Sequence, residues 1–283
     1  MLKSFIKNYY ERFLTLFAFL KTSFKPVDYG NKSFSQKEKY PELALKAALD
    51  SNVYKIFRSH YKYTPILEHI WKSLGQDYLD QIFQEYNLSE AEIFSIVEPL
   101  QEIGAPRKFR LKGLSAPISL TSLRYLKIGL DIKKRYGKKI PSVVEIGCGY
   151  GGQAIILSQL IEIKNYTFFD IWQVNLLIKR FIEDCNFTPK YRITTLGEYQ
   201  KGNKFDLCIS NYAFSELPYQ IQKQYFEEVL LNSSSGFMLM NNGDDGNFGD
   251  IVNMSKKEIL ELTDAHVNEE IPNSGSKNYL LTW

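Results

Sequence analysis

The run Ser142-Val143-Val144-Glu145-Ile146-Gly147-Cys148-Gly149-Tyr150-Gly151-Gly152-Gln153 decides how the rest of the chain is read. It opens as a short apolar strand carrying one acid, turns through four glycines in six residues, and continues into a helical run. Gly147, Gly149 and Gly151 let the backbone turn tightly and approach a ligand more closely than a side chain would allow. Their amides, with the N-terminus of the following helix, offer hydrogen-bond donors and partial positive charge to a carboxylate or phosphate. This is the loop of a nucleotide-type cofactor.

Which cofactor depends on two competing patterns. Gly147, Gly149 and Gly152 satisfy G-x-G-x-x-G, which suits NAD. Glu145 argues otherwise, because a parallel strand is normally apolar throughout. An acid there is expected to stand beside the cofactor rather than in the core. It suits an amino group, which S-adenosylmethionine carries and NAD lacks at that end. The pattern E-x-G-x-G-x-G resembles the first motif of class I S-adenosylmethionine-dependent methyltransferases, and the loop begins halfway along the chain, whereas a dehydrogenase domain often opens with it.

At 283 residues the chain has length for one large domain or two modest ones. Apolar residues make up 44% and charged residues 24%, ordinary for a globule. The 35 basic and 32 acidic residues leave +3, too even a balance to argue for a nucleic-acid partner. Three cysteines, Cys148, Cys185 and Cys208, fit a reducing cytosol and hence a cytoplasmic protein. Phe13 to Leu20 is apolar but far short of the roughly twenty residues a membrane span requires, so no transmembrane segment is expected. Residues 1–25 read as an amphipathic helix docked on the protein or on a second copy in a homo-oligomer. Peripheral membrane contact is the second reading.

The first half reads as helices over 41–58, 65–86 and 89–103, the last opened by a Ser89/Glu92 capping box. Residues 105–117 read as a connection, and 119–136 as an amphipathic helix ending at Gly137. From Pro141 strands alternate with helices. The strands are Val143–Ile146, Tyr166–Phe169, Tyr191–Thr194, Phe205–Ser210, Phe237–Met240, a weak one near 265–271, and Tyr279–Thr282. Such alternation implies a largely parallel sheet with helices on both faces, and the final pair looks like a hairpin. The expected class is α/β: a Rossmann-like seven-stranded sheet of the methyltransferase kind, mostly parallel with the last strand antiparallel. An all-helical N-terminal region precedes it. The expected domains are 1–112 as a helical cap for acceptor specificity and 113–283 as the catalytic domain.

Ligands in open α/β sheets bind at the carboxyl ends of strands. The second strand ends at Asp170, 23 residues past Gly147, a spacing that suits bonds to both ribose hydroxyls. The third carries no acid at its end, so Glu198 is a loose candidate for the adenine amino group, with Trp172 for the adenine face. The fourth ends at Ser210 and Asn211, level with the cofactor. Glu216 follows before a helix, where cap and site roles compete. With Ser210-Asn-Tyr-Ala-Phe-Ser-Glu-Leu217, Asn241, Ile103-Gly-Ala-Pro106, Leu123-Arg-Tyr-Leu126 and Leu281-Thr-Trp283 added, residues 100–283 resemble a family of bacterial sugar O-methyltransferases.

That resemblance implies methyl transfer from S-adenosylmethionine to a saccharide hydroxyl in cell-surface polysaccharide synthesis. Glu145, Gly147, Cys148, Gly149, Gly151, Asp170, Ile171, Ser210 and Asn211 would be cofactor contacts. A sugar hydroxyl is barely acidic, so a base should assist. Glu216 leads, then Asp244 and Asp245, with His60 an outsider and His69 and His266 weaker; no bound metal is expected. Arg107, Arg110 and Arg124 are expected on an anionic group of the acceptor, with Tyr212 and Asn241 beside it. Methylation of another small molecule, NAD-dependent oxidoreduction and a non-catalytic scaffold stay open.

Overall fold

Caps and prolines cut the N-terminal half into shorter helices than its apolar spacing predicts. The computed structural model describes residues 39–200, 202–241, 246–249 and 251–283, so residues 1–25, Asp244, Asp245 and Asp250 lie outside the described part. The run 41–58 becomes α1 (Tyr40–Leu49) and α2 (Ser51–Tyr54). Asp50 leaves the helix there, and its carboxylate accepts the Asn52 N–H at 2.7 Å, starting a new one. The run 65–86 becomes α3 (Thr64–Leu67) and α4 (Lys72–Tyr86), and 89–103 becomes α5 (Glu90–Val97) and α6 (Pro99–Glu102). Pro99, with no N–H to give the preceding turn, sits at the last of these breaks. The Ser89/Glu92 capping box forms as predicted, with Ser89 N–H to the Glu92 carboxylate at 2.8 Å and Glu92 N–H to Ser89 Oγ at 3.3 Å.

Within the expected connection 105–117 and just after it, β1 (Lys108–Phe109) pairs antiparallel with β2 (Ile118–Ser119). α7 (Leu120–Tyr136) begins at a Ser119 cap and stops at Gly137. Its first half is not amphipathic, however. Every residue from Leu120 to Leu130 is buried, Arg124 and Lys127 included, because α4 and α5 pack on it as well as the helix that follows the glycine loop.

The rest alternates as the sequence predicts. β3 (Ser142–Ile146), α8 (Gly152–Leu160), β4 (Asn165–Phe169), α9 (Trp172–Asp184), β5 (Lys190–Thr194), β6 (Leu207–Asn211), α10 (Tyr219–Glu228) and β7 (Gly236–Met240) come first. A small hairpin of β8 (Asn247–Phe248) and β9 (Ile251–Val252), then α11 (Lys256–Glu261), β10 (His266–Asn268) and β11 (Tyr279–Thr282) follow. Seven strands form one sheet in the order β10-β11-β7-β6-β3-β4-β5. Only β11 runs antiparallel to its neighbours. This is the Rossmann-like, mostly parallel sheet that the residue pattern predicts. The chain winds outward from β3 through β4 to β5, then returns to β6 on β3's other flank. That reversal opens a crevice at the carboxyl ends of β3 and β6.

The N-terminal helices and the sheet share one apolar core containing Phe57, Tyr63, Leu79, Tyr150 and Phe181. Tyr150, from the middle of the glycine loop, packs edge-on against Phe181 at 4.7 Å and Phe57 at 5.8 Å. The ring is fully buried in that cluster, so the loop is anchored from the helical side, although its hydroxyl is enclosed without a partner among the described residues. Arg58 is fully buried in the same region. It meets Glu68 and Leu100 O at 2.5 Å each and Ser119 Oγ at 3.2 Å. The interruption after α3 frees Glu68 to make that ion pair and to accept Thr121 Oγ1 at 2.8 Å.

Candidate cofactor and active site

The loop after β3 takes its shape from three glycines in the left-handed region: Gly147 at φ 73°, Gly149 at 58° and Gly151 at 89°. All three also lie where protein presses close, Gly151 with a Cβ that would stand 3.0 Å from Ile182. A Cβ on Gly147 would stand 2.0 Å from Ala213 Cβ, and one on Gly149 would stand 3.0 Å from Leu67. Glycine is therefore required here by close packing of the chain on itself as well as by the turn. Ala213 comes from the segment after β6 and Leu67 from α3, so this bend is where both halves of the protein converge.

Asp170 closes β4 beside the loop. Its Oδ2 accepts the amides of Cys148 at 2.8 Å and Gly149 at 3.2 Å, and its Oδ1 accepts that of Ile171 at 2.8 Å. Burial pushes its pKa up to about 7 against the pull of those three donors. The residue as a whole keeps some exposure. Three donors leave acceptor capacity unused, so the group can still take hydroxyl donors from a ribose. Cys148 and Ile171 thus reach this point through their backbone. The Cys148 thiol is buried and faces the Glu145 and Phe169 carbonyls.

Glu145 corrects an expectation. It is 1% exposed, and its carboxylate accepts Tyr166 Oη at 2.7 Å inside the sheet. Burial raises its pKa to about 8, so near neutrality it is largely a protonated acid in the core, not an anion beside a ligand. Ser210 is corrected likewise. It is fully buried, donating to Ile146 O at 2.9 Å and accepting Phe214 N–H at 3.1 Å, and so ties the ends of β3 and β6 together. Asn211 does face the crevice edge. Its amide donates to Gln153 Oε1 at 3.2 Å while its Oδ1 is enclosed without a partner among the described residues.

Beyond β6 the chain makes a tight 3-10 turn, Phe214–Glu216. Glu216 accepts Asn241 Nδ2 at 2.9 Å, and burial lifts its pKa to about 7 despite that bond. Asn241, at the end of β7, is further fixed by its N–H to Ser215 Oγ at 3.1 Å. Asn241 thus holds Glu216 rather than standing free for an acceptor. Glu216 is partly exposed and only three residues past the Ala213 that abuts Gly147. Tyr212, held at φ 69°, donates its hydroxyl to buried Glu270.

The three arginines are not gathered together. Arg107 and Arg110 flank β1 in exposed positions, whereas Arg124 is buried on α7 between the rings of Tyr125 and Tyr212, 5.7 Å from each. Among the histidines, His266 starts edge strand β10, which runs parallel to the central strands, so it lies at the end of the sheet away from the glycine loop. His60 accepts the Lys62 N–H at 3.2 Å and stacks on Tyr61. His69 is exposed on the loop after α3. Glu198 caps its own turn through Thr195.

Two contributors escaped the sequence reading. Gln153 bridges Tyr125 O, at 3.1 Å, to Asn211. Tyr40 on α1 lies close enough to Asp170 for that charge to help raise its phenol pKa, after burial itself. No group of side chains among the described residues could hold a metal ion, and no described helix is long and apolar enough to cross a membrane.

No protein-family model matches the chain, and no curated protein matches it. Solved structures do align with it. Mitomycin 7-O-methyltransferase MmcR aligns over 58% of this chain and 55% of its own, at 11% identity and a TM-score of 0.43. An O-methyltransferase family protein from Burkholderia thailandensis aligns over 58% and 55%, at 11% identity and 0.45. The N-methyltransferase NodS from Bradyrhizobium japonicum WM9, in complex with S-adenosyl-L-homocysteine, aligns over 56% and 83%, at 17% identity and 0.43. The chain therefore spans little more than half the length of the first two. At such identities and scores these likenesses assign no residue a role, and the fold described above stands on strand order alone.

Proposed function

We propose that this chain transfers the methyl group of S-adenosylmethionine to a saccharide hydroxyl, as a step in cell-surface polysaccharide synthesis. The observation that carries the cofactor half is Asp170: a carboxylate at the carboxyl end of β4, fastened by three amides beside the glycine loop. It would hold the ribose, with Asn211 and the loop backbone nearby. When bound, the cofactor supplies an electrophilic methyl group. Glu145 supports the site from beneath, as a neutral acid bonded to Tyr166.

The acceptor half rests on the motif resemblance and on Glu216. A base is most useful when its pKa lies near the working pH, and Glu216 at about 7 meets that requirement. Its ionised carboxylate takes the proton from the acceptor hydroxyl, becoming the neutral acid and later losing that proton to water. Asn241 fixes the carboxylate's direction. The N-terminal helices, which press Leu67 onto the glycine loop, are proposed to shape the acceptor side of the crevice.

Calorimetric titration with S-adenosylmethionine and NAD tests the cofactor. Micromolar binding of the first and none of the second is expected, while NAD binding alone would overturn the reading and binding of neither would favour a scaffold. Transfer of a labelled methyl group to a panel of mono- and oligosaccharides tests the acceptor. Label appearing only on non-sugar small molecules would keep the enzyme and reject the sugar.

A further inference from the structure

We infer that Arg124 forms an oxyanion subsite at the edge of the crevice, taking a carboxylate or phosphate group. The inference deepens the proposed function and uses that reading to place the anion beside the cofactor loop; the underlying observation is the arginine's own surroundings.

Arg124 is 6% exposed, yet among the described residues it has no carboxylate within 4 Å and no hydrogen-bond acceptor. Its Nε is fully enclosed and unpartnered. The other buried cations are satisfied. Arg58 meets Glu68, Leu100 O and Ser119 Oγ, and Lys127 meets Asp131 at 2.8 Å and Ile271 O at 3.2 Å. The nearby acids are engaged elsewhere. Glu68 holds Arg58 and Thr121, and Glu270 accepts the Tyr212 hydroxyl together with the Ser274 N–H at 3.1 Å and its Oγ at 2.8 Å. A guanidinium removed from water without an anion is strongly disfavoured. A fold that pairs Arg58 so fully but leaves Arg124 alone has a cation waiting for a negative partner from outside.

The surroundings suit that partner. The rings of Tyr125 and Tyr212 flank the guanidinium at 5.7 Å each, and the partly dry surroundings strengthen any charge pairing there. The planar fork matches two oxygens of a carboxylate or phosphate. Tyr212 directly precedes Ala213, whose Cβ abuts Gly147, so the segment that flanks the guanidinium continues straight into the one that packs on the cofactor loop. Two sources carry such a group there: the aminoacyl carboxylate of the cofactor, or an acidic sugar or sugar phosphate as acceptor.

Arg124→Met, similar in length and uncharged, separates them by calorimetry on the full chain. If the cofactor is the source, S-adenosylhomocysteine affinity falls about 30-fold, while 5′-methylthioadenosine, which lacks the carboxylate, binds the variant and wild type alike. If the acceptor is the source, S-adenosylhomocysteine binding is unchanged. Glucuronate or inorganic phosphate then raises the melting temperature of the wild type but not of the variant. Unchanged response to all four probes overturns the subsite. Should the wild type bind no S-adenosylhomocysteine, the methyltransferase reading fails, and the glucuronate and phosphate arms still decide the subsite. The ligand-free variant should melt no lower than wild type, because it loses an unpaired buried charge. If it does not fold, Arg124→Lys keeps the charge without the fork and should lose about 10-fold on the same ligand; no loss overturns the inference.

Discussion

Replacing Asp170 by Asn should weaken the cofactor site while leaving the fold no less stable at pH 8. The side-chain oxygens accept three amides, two at Oδ2 and one at Oδ1. Asn has one oxygen, which is best turned to Cys148 and Gly149, leaving its NH2 against the Ile171 N–H. That loses one bond, about 1–2 kcal/mol. Against this, the carboxyl pKa rises in the fold from 3.8 to about 7 because burial disfavours the charge. Each pH unit is about 1.4 kcal/mol, so the ionised group costs about 4 kcal/mol at pH 8, or about half that with a discount for its contact with water. The sign follows from a folded pKa above the unfolded one: the fold holds the proton more tightly, so this contribution is whole below about pH 4 and is lost as pH rises to about 7. Asp170→Asn should therefore be less stable than wild type by about 1–2 kcal/mol at pH 4 and equal or up to about 2 kcal/mol more stable at pH 8. Urea denaturation of both proteins at several pH values measures the difference. Glu145 and Glu216 titrate in both and cancel to first order. A stability difference that stays flat between pH 4 and 8 would refute the reasoning. S-adenosylhomocysteine affinity should meanwhile fall about 10- to 100-fold, since a charged acceptor for the ribose is gone.

Glu216→Gln should cut kcat about 100-fold or more with S-adenosylmethionine affinity intact, and in wild type kcat should climb with pH up to about 7 and then level, since the base works ionised; lost binding with the chemistry preserved rejects the base. Gly147→Ala should lower stability by at least about 2 kcal/mol, because a left-handed φ is joined by a 2.0 Å approach to Ala213. Gly137→Ala, at φ 91° and ψ −173° with nothing within 4 Å, should cost about 1–3 kcal/mol from backbone strain alone in the same thermal melt. Glu145→Gln should keep cofactor affinity within about threefold, since the acid is already neutral at pH 7 in its buried place; a 30-fold loss in calorimetry would return it to direct cofactor contact.

How far the sequence could be read follows from which information is local. The strands from Val143 onward were legible because each is a short apolar run closed by polar or glycine residues, and Gly137 and Ser119 carry their own boundary signals for α7. Asp170 was legible for the same reason, as an acid ending an apolar strand at a set distance from the glycines. The helical breaks at Asp50 and after Leu67 were not. Apolar spacing continues across them, and what interrupts each helix is a carboxylate with a better partner, Asn52 N–H in the first case and distant Arg58 in the second.

Glu145, Ser210 and Arg124 mark the harder boundary, because each was read from residue type and position when its role is set by which strand or helix lies next to it. A carboxylate in a parallel strand looks like a ligand contact until Tyr166, one strand over, is seen to share its proton. Ser210 looks level with a cofactor until the neighbouring Ile146 carbonyl claims it. Arg124 shows the converse. On an amphipathic helix an arginine belongs to the wet face, and only the packing of α4 and the Tyr212 segment over α7 makes it a buried cation without a counter-ion. Pairing across the sheet thus gives Glu145 and Ser210 partners inside the fold, and the absence of pairing brought Arg124 forward. Among the enclosed polar groups left without a partner, core hydroxyls such as those of Tyr63 and Tyr150 carry no such message, whereas the Arg124 guanidinium and the Asn211 carbonyl oxygen are the ones a charged or polar ligand would satisfy.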